Sequence, residues 1–118
     1  MKYIILSGLF LLILFSISKF IFDPSHLYYE IWWLDIPMHF LGGFGVATLA
    51  ISYFHYKKKS YSFIQIFMCY LCVAIVWELY EIIHDMIRVT MWGGWEDTIS
   101  DVINGGIGGT LAYLLFKK

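Results

Sequence analysis

Four long apolar segments, separated by polar stretches, dominate the pattern of the chain. They lie at residues 3–22, 37–56, 61–89 and 98–116. Each is long enough to cross a bilayer core of ~30 Å as an α-helix that rises ~1.5 Å per residue. The pattern therefore predicts four transmembrane helices. No small-residue cleavage motif follows the first segment, so we expect a retained helix and not a signal peptide.

A shorter amphipathic stretch separates the first two segments. Residues 23–36 include Leu27, Ile31 and Trp32 among polar positions, which favours a short helix lying along the membrane interface. Pro37 then falls in the opening turn of the second segment, where its missing amide proton costs nothing. The predicted fold class is all-α: an integral membrane bundle of four transmembrane helices with a short interfacial helix, in one domain over residues 1–118.

Composition supports a lipid environment. Hydrophobic residues make up 60% of the 118 residues and charged residues only 14%, which is too apolar for a soluble domain of this size. The net charge of -1 and the absence of a basic stripe predict no nucleic acid partner. Cys69 and Cys72 lie inside the third apolar segment without a second ligand pair, so we interpret them as inert thiols.

Charged residues divide the chain into two sides. Six of the eight basic residues flank the segment ends that fall on one side of a four-span topology, and all nine acids fall on or near the other side. The acids are Asp23, Glu30, Asp35, Glu78, Glu81, Asp85, Glu96, Asp97 and Asp101. By the positive-inside rule, the N- and C-termini are predicted to be cytoplasmic and the acids to lie outside.

The second and fourth segments each begin with a polar motif. Asp35 and His39 are four residues apart and share one helical face. Asp97, Asp101 and Asn104 share a face of the fourth segment. Taken singly, Asp35 and Asp97 are also well placed to cap a helix, because an acid suits the positive end of the helix dipole.

The third segment ends with a second group of ionisable residues. Glu78, Glu81 and Asp85 fall within about 60° of one another at ~100° per residue, with His84 beside Glu81. Acids at the C-terminal end of a helix are disfavoured by the helix dipole. Ionisable groups inside a membrane span usually face a cavity or one another. These positions therefore indicate a polar site and not helix capping.

If the three polar faces meet, as many as six carboxylates share one site. Two charges ~6 Å apart at an effective dielectric constant of ~20 repel by about 3 kcal/mol, which a bound cation or shared protons would relieve. Carboxylate and imidazole groups in a helix bundle are typical ligands of divalent ions. We predict a divalent metal ion (Mg, Mn, Ca, Zn or Fe) held by Asp35, His39, Glu78, Glu81 and Asp101.

The motifs of these three helices resemble those of a known family. They read Asp35-x-x-x-His39-Phe40-x-x-Gly43-Phe44, Trp77-Glu78-Leu79-x-Glu81 and Trp95-Glu96-Asp97-Thr98-x-x-Asp101. In this order they are similar to the YjdF-like small bacterial inner-membrane proteins and, more distantly, to the VanZ-like proteins. The resemblance implies a bacterial cytoplasmic membrane location. Through the VanZ-like proteins it also implies a role at the cell envelope, but no reaction.

Three functions stay open at this point. The first is a metal-assisted hydrolase or transferase acting on a lipid or lipid-linked envelope substrate, with Asp97, Asp85 or His84 as general acid or base. The second is a small proton- or cation-coupled transporter. The third is a non-catalytic envelope or resistance protein whose polar cluster is purely structural. In each case membrane lipid is the expected surrounding partner.

Glycines on the fourth segment predict close helix packing. Gly105, Gly106 and Gly109 make one surface of this helix small, which allows another helix to approach closely. The neighbouring helix could belong to the same bundle or to a second copy of the chain. A homo-oligomer is therefore left open.

Overall fold

The computed structural model describes residues 1–22, 25, 27–88 and 94–117, without the side chains of residues 28, 29 and 85–88. Five α-helices make up almost all of this part of the chain, and no strand occurs in it. They are α1 Lys2–Ile17, α2 Leu27–Glu30, α3 Asp35–Tyr56, α4 Phe63–Arg88 and α5 Gly94–Phe116, with a π-helical turn Ser18–Phe22 continuing α1. The all-α prediction is confirmed.

Two of the long helices begin earlier than their apolar segments. α3 begins at Asp35 and α5 at Gly94, because acids in the first turn interact favourably with the N-terminal end of the helix dipole. The short helix α2 is a single turn, so it is much shorter than the stretch 23–36 that suggested it.

Four of the described helices are long and apolar enough to cross a membrane. The bundle is 46 Å long, close to the ~40–45 Å thickness of a bilayer with its headgroups. Its outer surface is apolar, with Leu12 59% and Val76 66% exposed. Such a surface suits lipid and not water. The chain is therefore an all-α, multi-pass membrane bundle, and Cys69 and Cys72 lie on its exposed surface as free thiols.

Helix α3 occupies the centre of the bundle. It packs along α5 most extensively, and also against α1 and α4. Close approaches of Gly43 to Gly105 and of Ala47 to Gly109 show that α3 and α5 run parallel. We call the end where α3 and α5 begin the acidic end. The opposite end, which carries the lysines at residues 57–59, is the lysine end.

The parallel crossing of α3 and α5 is a backbone contact between glycines. A Cβ atom on Gly43 would collide with the carbonyl oxygen of Gly105, and one on Gly108 would collide with that of Phe40. Between the crossing and the lysine end, Ala47 and Ala112 are fully buried. The predicted close approach is confirmed for this bundle: Gly105 and Gly109 lie against α3 of the same chain, and Gly106 lies against α4.

The turn between α3 and α4 is closed by local polar contacts. Ser62 precedes α4, and its amide donates to Gln65 Oε1 at 2.8 Å while the Gln65 amide donates to Ser62 Oγ at 3.3 Å. This reciprocal pair is a capping box, which satisfies two free amides at the helix start. The capping box fixes the residue at which α4 begins at the lysine end. Because the helix has a constant rise per residue, it also determines which residues of α4 lie at the acidic end.

Candidate metal centre

His39 lies at the centre of a polar cluster inside the acidic end. Its Nε2 is 3.3 Å from Asp35 Oδ1, on the same face of α3, and 3.3 Å from Asp101 Oδ2 on α5. The parallel glycine crossing brings Asp101 to this level, since Gly43 and Gly105 each lie four residues further along their helices. Both distances exceed the ~2.7–2.9 Å of a charge-assisted hydrogen bond, so one imidazole only weakly compensates two carboxylates.

Helix α4 adds two carboxylates to the cluster. Glu78, Glu81, Asp101 and His39 each offer one ligand atom, and these four atoms lie within 4.8 Å of one another. Glu78 is 7% exposed and Asp101 is 4% exposed, so two of the three carboxylates are buried. Buried anionic groups are costly unless a cation or a proton compensates them.

The spacing of the four donor atoms fits a single metal ion. Ligands on opposite sides of an ion that binds at ~2.1–2.4 Å lie about 4.2–4.8 Å apart. Because the four atoms all lie within 4.8 Å of one another, small side-chain movements would bring them to one ion. Three carboxylates and one imidazole form a donor set suited to Mg, Mn, Fe or Zn. A buried His/Glu/Asp cluster that could hold a metal ion is thus present.

A second group of carboxylates adjoins the first at Asp101. It consists of Asp35, Asp97 and Asp101, whose ligand atoms also lie within 4.8 Å of one another. Asp97 is exposed, and Asp35 is about one-third exposed. The predicted ligand Asp35 thus contacts His39 from the solvent side, and the predicted acid or base Asp97 lies at the outer edge of the cluster.

Two other residues singled out by the sequence, His84 and Asn104, lie apart from the cluster. His84 belongs to neither group, and its ring packs on that of Tyr80 with centroids 5.7 Å apart. Asn104 donates to Ser100 Oγ at 3.3 Å, along its own helix. The side chain of Asp85 is outside the described residues.

The structure adds Tyr70 and Thr98, two residues to which the sequence patterns assigned no role. Tyr70 is 4% exposed, and its hydroxyl donates to the Val102 carbonyl of α5 at 2.6 Å. Thr98 interacts with the Glu78 carboxylate, but its buried Oγ1 has no partner of hydrogen-bond geometry in the described part of the chain. For Tyr70 a signal was available: it lies eight residues before Glu78, on the same face of α4.

A cavity of about 280 Å³ extends from the cluster into the bundle. His39, Glu78, Glu81 and Asp101 line its polar end. Most of the remaining wall is apolar and comes from α1, α3 and α4. These apolar lining residues include Leu11, Leu14, Phe15, Met38, Val46, Val73, Ala74 and Trp77. The cluster is therefore continuous with a space that suits hydrocarbon.

Comparison with known proteins agrees with this architecture and adds no reaction. No curated protein and no solved structure gives a match. The model of one family, described as "Predicted membrane protein (DUF2238)", matches residues 2–118. This match covers nearly the whole chain, including every residue of the cluster, and the description agrees with the four apolar helices of the bundle. The chain belongs to the DUF2238 family of membrane proteins.

Proposed function

We propose that the acidic end binds one divalent metal ion through His39, Glu78, Glu81 and Asp101, with Asp35 supporting His39. We further propose that this ion serves a hydrolase or transferase acting on a lipid or lipid-linked envelope substrate. One observation carries the proposal: four donor atoms from three different helices converge within 4.8 Å beside an apolar cavity.

Electrostatics supports an ion over a purely structural network. Glu78 and Asp101 are buried, and the described cluster offers their carboxylates a single imidazole. At an effective dielectric constant of ~20, each pair of charges ~5 Å apart repels by about 3 kcal/mol. A divalent ion would relieve this repulsion for all three carboxylates at once, whereas a single proton neutralises one carboxylate and leaves the other two repelling each other.

The depth of the cluster supports work on lipid and weighs against transport. His39 is in the second turn of α3 and Asp101 is in the second turn of α5, so both lie near one membrane surface. Transport sites are usually found near the bilayer midplane. At headgroup depth the cluster is well placed for the polar part of a lipid.

The residues around the cluster have distinct roles in this proposal. A metal ion in such a site supplies a Lewis acid for a phosphoryl or acyl oxygen and a more acidic water. Asp97 is exposed and adjacent to Asp101, so it can exchange protons with bulk water as a general acid or base. His84 and Asp85, about one turn beyond Glu81, are the other two candidates for that role.

We also propose the placement of the chain in the cell. The lysine-rich end is assigned to the cytoplasm by the positive-inside rule, which puts both termini inside and the acidic end outside. The resemblance to YjdF-like and VanZ-like proteins supports a bacterial cytoplasmic membrane and an envelope role. The substrate would then come from the outer leaflet.

Elemental analysis of the purified protein tests the metal site. The parent protein is compared with Asp101→Ala and Asp35→Ala, and with Glu96→Gln as a control that alters an exposed acid of the same helix. We expect about one divalent ion per chain in the parent and the control, none in Asp101→Ala, and a reduced content in Asp35→Ala. Folded parent protein without metal, even after divalent ions are added, would contradict the proposal.

A second experiment tests the enzymatic part. Metal-loaded protein is reconstituted in bilayers of mixed envelope lipids, and the lipids are followed by mass spectrometry. We expect a new lipid product that requires metal and disappears in Asp101→Ala. An unchanged lipid profile with a fully loaded site would refute the enzyme and favour the transport or structural alternatives.

A further inference from the structure

The cavity beside the candidate metal centre lies between two helices that barely pack on each other. α1 packs on α3, whereas α4 packs on α3 and α5. Side chains join α1 to α4: the Phe15 ring meets the Trp77 ring edge-on, with centroids 5.8 Å apart. Rotation of these two side chains would open the contact between α1 and α4 without moving either helix backbone. A ligand could therefore pass from the bilayer into the cavity between these two helices.

The lining of the cavity changes from polar to apolar along its length. Its polar end contains the candidate metal ligands, while α1 and α4 line its remaining walls with apolar residues such as Leu14 and Val73. Its volume of about 280 Å³ is just below that of small-molecule sites, which range over ~300–1,000 Å³. This space is too small for a whole lipid but suits part of one hydrocarbon chain next to a polar group.

A cationic side chain marks the entrance at headgroup depth. Lys19 lies in the π-helical turn after α1, with its Nζ 5.6 Å from the Trp77 ring centroid and 5.4 Å from that of Tyr80. It is also close enough to Glu81 to interact with it electrostatically. Lysine with tryptophan and tyrosine is the usual combination at the bilayer interface, and a lysine ammonium is a common phosphate-binding group.

We infer that this cavity binds one hydrocarbon chain of a phosphate-bearing lipid, which enters between α1 and α4 and places its phosphate between Lys19 and the metal ion. The inference rests on the proposed function, since the carboxylates of the cluster would repel a phosphate if no cation compensated them. Charge complementarity selects this lipid class: both Lys19 and the ion are cations, and they lie on the path from the bilayer to the cavity.

Native mass spectrometry of the metal-loaded protein tests the chain-binding part. The probes are phosphatidic acid and diacylglycerol with identical chains. Ala74→Trp fills the cavity, and Val76→Trp is the matched control on the lipid-facing side of the same helix. We expect Ala74→Trp to retain about tenfold less phosphatidic acid, because the indole ring displaces part of the chain and removes on the order of ten packing contacts at ~0.1–0.2 kcal/mol each. Val76→Trp should retain as much as the parent.

A second pair of variants approaches the cavity from the opposite wall. Leu14→Trp points into the cavity from α1, and Ile13→Trp is its lipid-facing control. This pair replaces the first if Ala74→Trp does not fold. Equal retention of phosphatidic acid by cavity and control variants, with metal present in all of them, would overturn the inference and leave the proposed function intact.

The phosphate-binding part is tested at Lys19. Lys19→Gln should retain about fivefold less phosphatidic acid, since a basic group near an anionic lipid surface contributes on the order of 1 kcal/mol. Its retention of diacylglycerol should not change. Equal losses for both lipids would show that Lys19 holds the entrance in shape and would overturn its role as a phosphate ligand.

Two further measurements distinguish a lipid from free phosphate as the ligand, and a failure of lipid binding from a failure of the metal site. Inorganic phosphate that displaces phosphatidic acid at equal concentration would identify free phosphate as the ligand and overturn the lipid. Metal content is measured in every sample. A parent protein without metal overturns the proposed function and, with it, the placement of the phosphate. A loss of diacylglycerol in Ala74→Trp but not in Val76→Trp would then still support chain binding in the cavity.

Discussion

The α3–α5 crossing and the α1–α4 gap are built in opposite ways. At the crossing, glycines let two backbones touch, so that Gly43 faces Gly105 and Gly108 faces Phe40 with no space for a methyl group. At the gap, two helices are joined by side chains and enclose a cavity of about 280 Å³. The first region admits no added atom, while the second has space for a ligand.

This difference has a physical cause in the lipid environment. Lipid is as apolar as leucine, so transmembrane helices associate through close packing and not through the hydrophobic effect. The glycine crossing maximises that packing, and it holds His39 and Asp101 at one level. The bulky residues of α1 and α4 cannot approach as closely. The tight crossing that holds His39 and Asp101, and the open space between α1 and α4, thus follow from residue size.

The largest effect is expected from a methyl group added at the α3–α5 crossing, where the backbones touch. Gly43→Ala would collide with the Gly105 carbonyl, whereas Gly42→Ala meets nothing within 4 Å. We expect Gly43→Ala to lower the free energy of unfolding by about 1–3 kcal/mol and to abolish metal binding, because His39 and Asp101 separate. Gly42→Ala should be neutral or stabilising by up to ~1 kcal/mol, since alanine favours the helix. Unfolding in mixed micelles measures both; equal stability of the two variants would refute the packing account.

A second substitution tests whether the carboxylates of the cluster repel one another unless a cation is bound. Glu78→Gln removes a buried negative charge. In metal-free protein we expect this change to raise the free energy of unfolding by on the order of 1 kcal/mol, because repulsion among the carboxylates falls. In metal-loaded protein the same change should lower it, because a ligand is lost. Unfolding with and without a chelator measures the change of sign. A loss of stability in both conditions would instead indicate a structural network.

Metal binding should also release protons. His39 Nε2 lies between two carboxylates, an arrangement that favours the imidazolium, and this cation must lose one proton before Nε2 can bind a metal ion. Calorimetric titrations in buffers of different ionisation enthalpy would give a release of about one proton per ion. His39→Gln should release fewer protons than the parent. The same release from both would show that His39 is not a ligand.

The smallest expected effect concerns the contact between α4 and α5. Tyr70→Phe removes the hydrogen bond to the Val102 carbonyl, and similar bonds in membrane helices contribute about 0.6 kcal/mol. Tyr61→Phe is the control, since Tyr61 contacts His55 at the lysine end. Metal affinity should not change in either variant. A large loss of metal in Tyr70→Phe would place Tyr70 in the site itself.

Much of this architecture could be predicted from the sequence because it depends on local periodicity. Four apolar segments predicted the transmembrane helices, the spacing of Asp35 and His39 predicted their shared face, and the glycines of α5 predicted close packing. Each of these signals lies within one helix.

The remaining features depend on how the helices align with one another. The sequence could not identify Glu78 as an inner member of the cluster and Asp35 as an outer one, because that depends on how α4 packs against α3 and α5. The cavity was also hidden, since residues that line it, such as Ala74, have the same apolar character as the lipid-facing Val76. Polarity therefore does not distinguish the cavity wall from the membrane surface.

X-ray absorption at the metal edge of manganese- or zinc-loaded protein tests the central claim most directly. The account predicts an inner shell of oxygen and nitrogen atoms that includes one imidazole, whose outer-shell scattering disappears in His39→Gln while Glu96→Gln leaves the spectrum unchanged. A shell of oxygen atoms without imidazole, or a spectrum that His39→Gln does not alter, would contradict a metal centre at this cluster.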